Sequence, residues 1–201
     1  MTKVIDYYFT PQSPWTYFGH ARFAAIAHEA HAAIRVLPVD FGKIFPLSGG
    51  LPLGKRAPQR QAYRLRELAR FRDHLKLAMY IQPKYFPVAG DDASRLIIAV
   101  NALDGAPAAF ALSGAVFAAV WEQELDIASP ATLAVLLAQC GLAPGRLAQS
   151  CEPRFQQQYE ANTQAAIDAN VFGAPSYVVD GEIFWGQDRL DFLQRRLLQT
   201  L

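Results

Sequence analysis

Residues 3–16 decide the fold, and they read Lys-Val-Ile-Asp-Tyr-Tyr-Phe-Thr-Pro-Gln-Ser-Pro-Trp-Thr. Most of residues 3–9 are β-branched or aromatic, which predicts a strand. The turn that follows ends on Ser13, a residue type that caps helix N-termini, and Pro14 then takes the first helical position, where proline is favoured. The chain is therefore expected to begin with a strand that passes through a tight turn into a helix.

The next elements complete a β-α-β unit. The first helix should run to about His31, and residues 34–39 predict a second strand, in which Pro38 indicates an early stop or a sheet edge. Glycine, proline and serine then recur through Asp40–Lys55, so a loop is predicted over that segment.

A long helical stretch separates this unit from the end of the chain. Helical patterns extend from about Pro58 to Ala169. Proline and glycine should interrupt them at several points. These points are Gln82-Pro83, Val88–Asp92, Gly105–Pro107, Ser129-Pro130 and Gly141–Gly145.

Strand patterns return near the C-terminus. Residues 176–179 and 182–185 predict two strands, and the Asp180-Gly181 pair between them is a strong hairpin signal. A last helix is predicted from about Gln187 to Leu198. The order of elements indicates an α/β protein in which a large all-helical domain is inserted into a small sheet-bearing domain.

Composition excludes several classes of function. The chain has 201 residues, 18% of them charged, and a formal net charge of +1, which favours neither nucleic-acid binding nor attraction to a membrane surface. The N-terminus has no secretory signal pattern, and the longest uncharged stretch, Gly105–Trp121, is shorter than the roughly 20 apolar residues of a spanning helix. A buried helix and a cytoplasmic protein are expected.

The two cysteines, Cys140 and Cys151, form no Cys-x-x-Cys pair, so neither a metal site nor a dithiol centre is predicted.

Ser13 is the leading candidate for a functional residue. Unpaired N–H groups and the positive end of the helix dipole make a helix start suitable for a thiolate. A serine nucleophile would need an adjacent base, and His20 would lie about 10 Å along the helix. Hydrogen-bond donation to an incoming anion is the more economical role, although the local sequence alone favours a simple helix cap.

Two further motifs stand at the other end of the chain. Ala174-Pro175 precedes a predicted strand, where a proline could simply open an edge strand. Trp185-Gly186-Gln187-Asp188 precedes the last helix, where Asp188 could be a cap or could pair with an ammonium group of a ligand that Gln187 also holds.

The order and spacing of these motifs, from about Val4 to Leu197, resemble the 2-hydroxychromene-2-carboxylate isomerase family. That family belongs with the kappa-class glutathione transferases and the DsbA-like proteins. The resemblance implies a thioredoxin-like fold, with residues 1–45 and 165–201 forming the thioredoxin-like domain and residues 46–164 the inserted helical domain.

The resemblance also implies a site. Ser13 and Thr16 stand where DsbA-like oxidoreductases carry Cys-x-x-Cys, so the reactive sulfur would come from glutathione, with Ser13 as the catalytic residue. Further residues take roles from the family: a cis Pro175, Ala174 offering its backbone to the cysteinyl part, and Lys43 as a polar pocket residue. Tyr85 and Phe86 would lie against an aromatic substrate, or they could equally be an aromatic pair of the core. The γ-glutamyl end is assigned to Trp185, Gly186, Gln187 and Asp188.

The implied activity is the glutathione-dependent cis-trans interconversion of 2-hydroxychromene-2-carboxylate and trans-o-hydroxybenzylidenepyruvate, in a homodimer. A kappa-like transferase, a DsbA-like oxidoreductase and a non-enzymatic glutathione-binding protein are the alternatives.

Seven basic residues between Lys55 and Arg72, with Glu67 as the lone acid among them, predict a solvated helix face or a means of steering an anionic substrate.

Overall fold

Four strands form one mixed sheet in the computed structural model, which describes residues 3–199. Their order is β2-β1-β3-β4; β2 is parallel to β1, whereas β3 is antiparallel to both β1 and β4. Pro38 lies in the edge strand β2, as its proline predicts. The strands are β1 (Val4–Phe9), β2 (Ala33–Pro38), β3 (Ser176–Val179) and β4 (Glu182–Trp185).

The register of the sheet brings the predicted motifs to one edge. Phe9 pairs with Pro38, and Tyr8 pairs with Ser176, which in turn pairs with Trp185. The ends of β1, β2 and β4 therefore lie beside the beginning of β3. The turns that carry the three motifs all leave the sheet from this edge.

Helices cover the described chain between and around these strands. The predicted breaks in the helical stretch, the hairpin and the last helix are confirmed, although the last helix begins with a short 3₁₀ turn, Gln187–Arg189. The helices are α1 (Pro14–Glu29), α2 (Phe41–Ser48), α3 (Pro58–Leu75), α4 (Asp91–Asp104), α5 (Ala106–Trp121), α6 (Pro130–Gln139), α7 (Arg146–Gln149), α8 (Pro153–Asp168) and α9 (Leu190–Leu198).

Helix α2 corrects the prediction of a loop over residues 40–55. The Asp40 side chain caps it by accepting a hydrogen bond from the Gly42 N–H at 2.7 Å, and Gly49 ends it in the left-handed conformation. Phe41 and Ile44 are buried in a small core with residues of α8 and β3. Capping and tertiary burial thus outweigh the glycine and proline signals of the segment.

The main core joins the sheet to the helical stretch. Phe9 of β1 packs edge-on against Phe117 of α5 at 5.4 Å between ring centroids, and Leu112 and Trp121 of the same helix are fully buried. Helix α5 is the buried helix predicted for the uncharged stretch. Within residues 3–199, no helix is both long enough and apolar enough to cross a membrane.

The topology is the expected thioredoxin-like α/β arrangement with a helical insertion. The boundaries at residues 45 and 165 remain a prediction, because one apolar cluster contains side chains from both proposed domains. Residues 1, 2, 200 and 201, which the predicted thioredoxin-like domain includes, lie outside the described residues.

Candidate functional site

Ser13 occupies the turn between β1 and α1 as the cap of the helix. Its Oγ accepts a hydrogen bond from the Thr16 N–H at 3.3 Å, and its own N–H donates to the Thr10 carbonyl at 3.1 Å. The side chain is only 8% exposed. Since Oγ acts as an acceptor in the cap, its hydrogen stays available for donation to a bound anion.

Thr16 places a second hydroxyl in the first turn of α1. The residue is fully buried, and its Oγ1 has no hydrogen-bond partner among residues 3–199. An unpaired buried hydroxyl costs about 1–3 kcal/mol. The beginning of α1 therefore carries two hydroxyl groups whose hydrogen-bonding capacity the described chain does not exhaust.

Pro175 lies across the sheet edge from this turn, and the Ala174–Pro175 bond is cis, as the resemblance implies. The Pro175 carbonyl accepts a hydrogen bond from the Gly186 N–H at 2.8 Å, which joins the two C-terminal motifs. The indole of Trp185 lies so close over Gly173 that a Cβ there would collide with its Nε1. The loop before β3 is thus held against the end of β4.

Gln187 and Asp188 lie differently from each other. Gln187 is buried, and its Oε1 accepts a hydrogen bond from Arg22 of α1 at 3.1 Å. Asp188 is half exposed and pairs with Arg189 at 2.5 Å. Both residues are predicted to contact a ligand. The Asp188 carboxylate is accessible to one, whereas the Gln187 side chain is already hydrogen-bonded to α1.

Lys43 lies on α2 at a separate polar cleft of about 330 Å³ between α2, α4 and α8. Acidic residues, Asp40 and Asp91 among them, share this cleft with Lys43. Gly90 directly precedes α4, between the cleft residues Ala89 and Asp91, and its backbone lies close to the side chain of Gln12 in the turn before α1. A contact between Lys43 and glutathione remains a prediction.

Tyr85 and Phe86 belong to the irregular segment between α3 and α4. The Phe86 ring packs on Trp121 at 4.9 Å between centroids, and the Arg64 guanidinium stands over it at 5.1 Å. Tyr85 is 40% exposed and lies beneath the Lys84 ammonium. The sequence predicted a role for the two rings and included Arg64 among seven basic residues that could steer an anionic substrate. It did not indicate that Arg64 and Trp121 lie against Phe86, since periodicity does not reveal which residues face a loop.

His20 is engaged with the core and not with Ser13. Its Nδ1 accepts a hydrogen bond from the Tyr7 hydroxyl at 3.3 Å, and its Nε2–H donates to the Phe110 carbonyl at 3.2 Å. Burial lowers the pKa of His20 to about 4, so the ring is neutral at physiological pH. Because both nitrogens already have partners, His20 is no base for Ser13.

The lowered pKa of His20 predicts a pH-dependent stability. Between pH 6.5 and 4 the unfolded chain binds a proton that the folded chain does not, so the free energy of unfolding should fall as the pH falls, by up to about 3 kcal/mol. Chemical denaturation at a series of pH values measures this slope. His20→Gln should flatten the slope, whereas His28→Gln, at an exposed position of the same helix, should preserve it.

Comparison with known proteins identifies relatives of this chain. The model of the DSBA-like thioredoxin domain family matches residues 4–198. A 2-hydroxychromene-2-carboxylate isomerase from Sphingobium xenophagum is 29% identical over 200 residues, which cover 98% of this chain and 100% of the relative. An isomerase of the same name from Pseudomonas putida is 28% identical over 95% of this chain and 92% of its own.

A solved structure supports the fold independently. The structure of a 2-hydroxychromene-2-carboxylate isomerase superposes with a TM-score of 0.79 at 24% sequence identity, and the match covers 96% of this chain and 94% of the other. At this identity the similarity establishes the thioredoxin-like fold.

Proposed function

The chain belongs to the family of DSBA-like thioredoxin domains, and within it we propose a glutathione-dependent isomerase that interconverts 2-hydroxychromene-2-carboxylate and trans-o-hydroxybenzylidenepyruvate. The names of its full-length relatives support an isomerase. The observation that carries the proposal is the pair of hydroxyls, Ser13 and Thr16, at the beginning of α1. A site without two thiols cannot perform dithiol exchange by itself, so thiol chemistry at this position would need a sulfur from a bound molecule.

The residues present fit glutathione. Ser13 has a hydroxyl hydrogen to donate, and the buried Thr16 Oγ1 has no partner within the described chain. The Ala174 backbone at the sheet edge is proposed to hold the cysteinyl part, and the half-exposed Asp188 to hold the ammonium of the γ-glutamyl end. Bound glutathione would supply a thiolate that adds reversibly to a conjugated double bond.

The beginning of α1 favours a negative charge beside Ser13. A helix dipole contributes about 0.3–1 kcal/mol, and up to about 2 at a partly buried position. A hydrogen bond from the Ser13 hydroxyl to a charged group adds roughly 1.5–3 kcal/mol. A combined effect of about 3 kcal/mol corresponds to about two pKa units. Ser13 thus acts as a hydrogen-bond donor that keeps an anion in place.

The aromatic segment is proposed to orient the substrate. The exposed ring of Tyr85 offers a surface on which a planar aromatic acid can stack, beside the partly buried Phe86 that packs on Trp121. Such stacking would fix the orientation of the substrate at the site. Ser13 would then stabilise the thiolate, and the aromatic segment would orient the substrate.

The test is the conversion of the cyclic acid by purified protein with glutathione, without it, and with S-methylglutathione, which has no free thiol. We expect conversion with glutathione only, and the concentration of free thiol should stay constant over many turnovers. Equal conversion without glutathione would refute the proposal. Consumption of the thiol as a conjugate would identify a transferase instead, and its oxidation to a disulfide would identify an oxidoreductase.

A further inference from the structure

Arg64 is turned inward on a helix whose other basic residues face outward or have partners. On α3, Arg64, Leu68 and Phe71 follow one another at the spacing that places side chains on one face. Leu68 is fully buried on that face, and Phe71 packs on Trp15, two residues after Ser13, at 5.9 Å between ring centroids. The face that carries Arg64 is therefore the one that packs against the beginning of α1.

The guanidinium of Arg64 has no ion pair and no hydrogen bond within residues 3–199. By contrast, Arg72 pairs with Asp73 at 2.8 Å, Arg70 lies 4.0 Å from Glu67, and Arg56 donates to the Leu51 carbonyl. Burial and the positive charge of Arg56 lower the pKa of Arg64 to about 10, which leaves it charged at neutral pH. A half-buried charge without a counter-ion is costly, and a bound anion would remove that cost.

The surroundings of Arg64 are aromatic. Its guanidinium lies over Phe86, which also packs on Trp121. The Nε1–H of Trp121 is buried and has no acceptor within the described residues. Next to Phe86, the Arg64 guanidinium and the Trp121 Nε1–H are therefore two hydrogen-bond donors without a partner in residues 3–199. The neighbouring Tyr85 ring lies beneath the Lys84 ammonium at 5.0 Å.

The acids of this region already have partners. The Glu124 carboxylate accepts a hydrogen bond from the Lys84 backbone N–H at 2.9 Å, and the Glu122 carboxylate accepts one from the Tyr17 hydroxyl at 2.9 Å. The Phe86 and Tyr85 rings thus each lie beneath a cation, Arg64 and Lys84 respectively. No carboxylate of the described residues neutralises the charge of Arg64. This combination suits a ligand with a flat apolar ring and one carboxylate.

We propose that Arg64 binds the carboxylate of an aromatic acid whose ring lies on Tyr85 and Phe86. The inference rests on the proposed function, since it names the residue that selects the acidic substrate of that site. It also distinguishes one of the seven basic residues of the 55–72 segment from those that only contribute positive charge at the surface. Arg64 is a binding residue here and takes no part in proton transfer.

The test measures binding without turnover. The probes are trans-cinnamate and its uncharged amide, cinnamamide, titrated by NMR into the full chain in the absence of glutathione. Arg64→Gln should weaken cinnamate binding at least tenfold and change cinnamamide binding less than twofold, while Arg64→Lys should retain part of the affinity. Arg66→Gln, which removes the same charge from an exposed position of α3, should leave both affinities within twofold.

Three results would overturn the proposal. Equal loss of cinnamate affinity in Arg64→Gln and Arg66→Gln would indicate long-range attraction alone. Equal loss for acid and amide, together with a lower melting temperature of Arg64→Gln, would indicate a structural role. Unchanged cinnamate affinity in Arg64→Gln would refute the contact directly. Because no thiol enters this measurement, failure of the isomerase proposal would appear separately, in the glutathione assay.

Discussion

Replacement of Ser13 by alanine should lower the rate of glutathione-dependent isomerisation at least tenfold, while glutathione still binds. The variant loses the Ser13 hydroxyl hydrogen, which the helix cap does not use and which is available for donation to an anion. A hydrogen bond to a charged group contributes about 1.5–3 kcal/mol, and each 1.4 kcal/mol corresponds to a factor of about ten. Steady-state kinetics give kcat, and calorimetric titration with glutathione gives Kd.

The pH profile adds an independent measurement for Ser13→Ala. Without the donor, the acidic limb of kcat should move to higher pH by about one unit or more. Loss of the cap alone would reduce stability by about 0.5–2 kcal/mol and would leave that limb in place. The kinetics should therefore be measured well below the melting temperature of the variant.

Ser129 provides the matched control, because it also precedes a proline at the beginning of a helix, α6, and its side chain makes no capping hydrogen bond. Ser129→Ala should leave both kcat and the pH profile unchanged. Ser13→Thr, which keeps the hydroxyl, should retain much of the activity. If Ser13→Ala turns over as fast as the natural protein, Ser13 is a helix cap and nothing more.

Phe117→Ala should lower the free energy of unfolding by about 3–5 kcal/mol, the usual cost of emptying a buried phenylalanine site. Phe117 is fully buried on α5, edge-on to Phe9 of β1 at 5.4 Å and to His20 of α1 at 5.0 Å. Its loss would open a cavity between the sheet and the helical stretch. Urea denaturation followed by circular dichroism and by tryptophan fluorescence measures the change.

The two signals should still change in a single transition for Phe117→Ala, since one apolar cluster spans both predicted domains. Phe192→Ala, at a half-exposed site on α9, should alter the free energy of unfolding by no more than about 0.5 kcal/mol. Two separate transitions, with only one shifted, would show that residues 46–164 unfold as an independent unit.

Local rules account for the elements that the sequence predicted well. The Asp180-Gly181 turn adopts positive φ at both residues, 51° and 81°, which is the backbone that the pair favours between two strands. Ser13-Pro14 begins α1 at the predicted residue. In both places the preferred local conformation and the tertiary structure agree.

Helix α2 shows where local rules fail. Its glycines and Pro46 predict a loop, yet Phe41 and Ile44 find a small core that includes Val178 of β3, far along the chain. Helix formation in short segments depends on such packing more than on propensity. No pattern within residues 40–55 reveals that partner.

By itself the sequence determined the order of the strands, the first and last helices, the helical stretch between them, and the chemistry at the beginning of α1. Two hydroxyl residues stand there, and hydroxyl groups can hold an anion but cannot exchange disulfides. Only the tertiary structure decided what surrounds that position. Sheet register brings the Pro175 and Trp185 turns to the edge from which Ser13 leaves, and packing places Arg64 over Phe86. Residues far apart in the chain become neighbours through burial of shared apolar surface, which local periodicity does not encode.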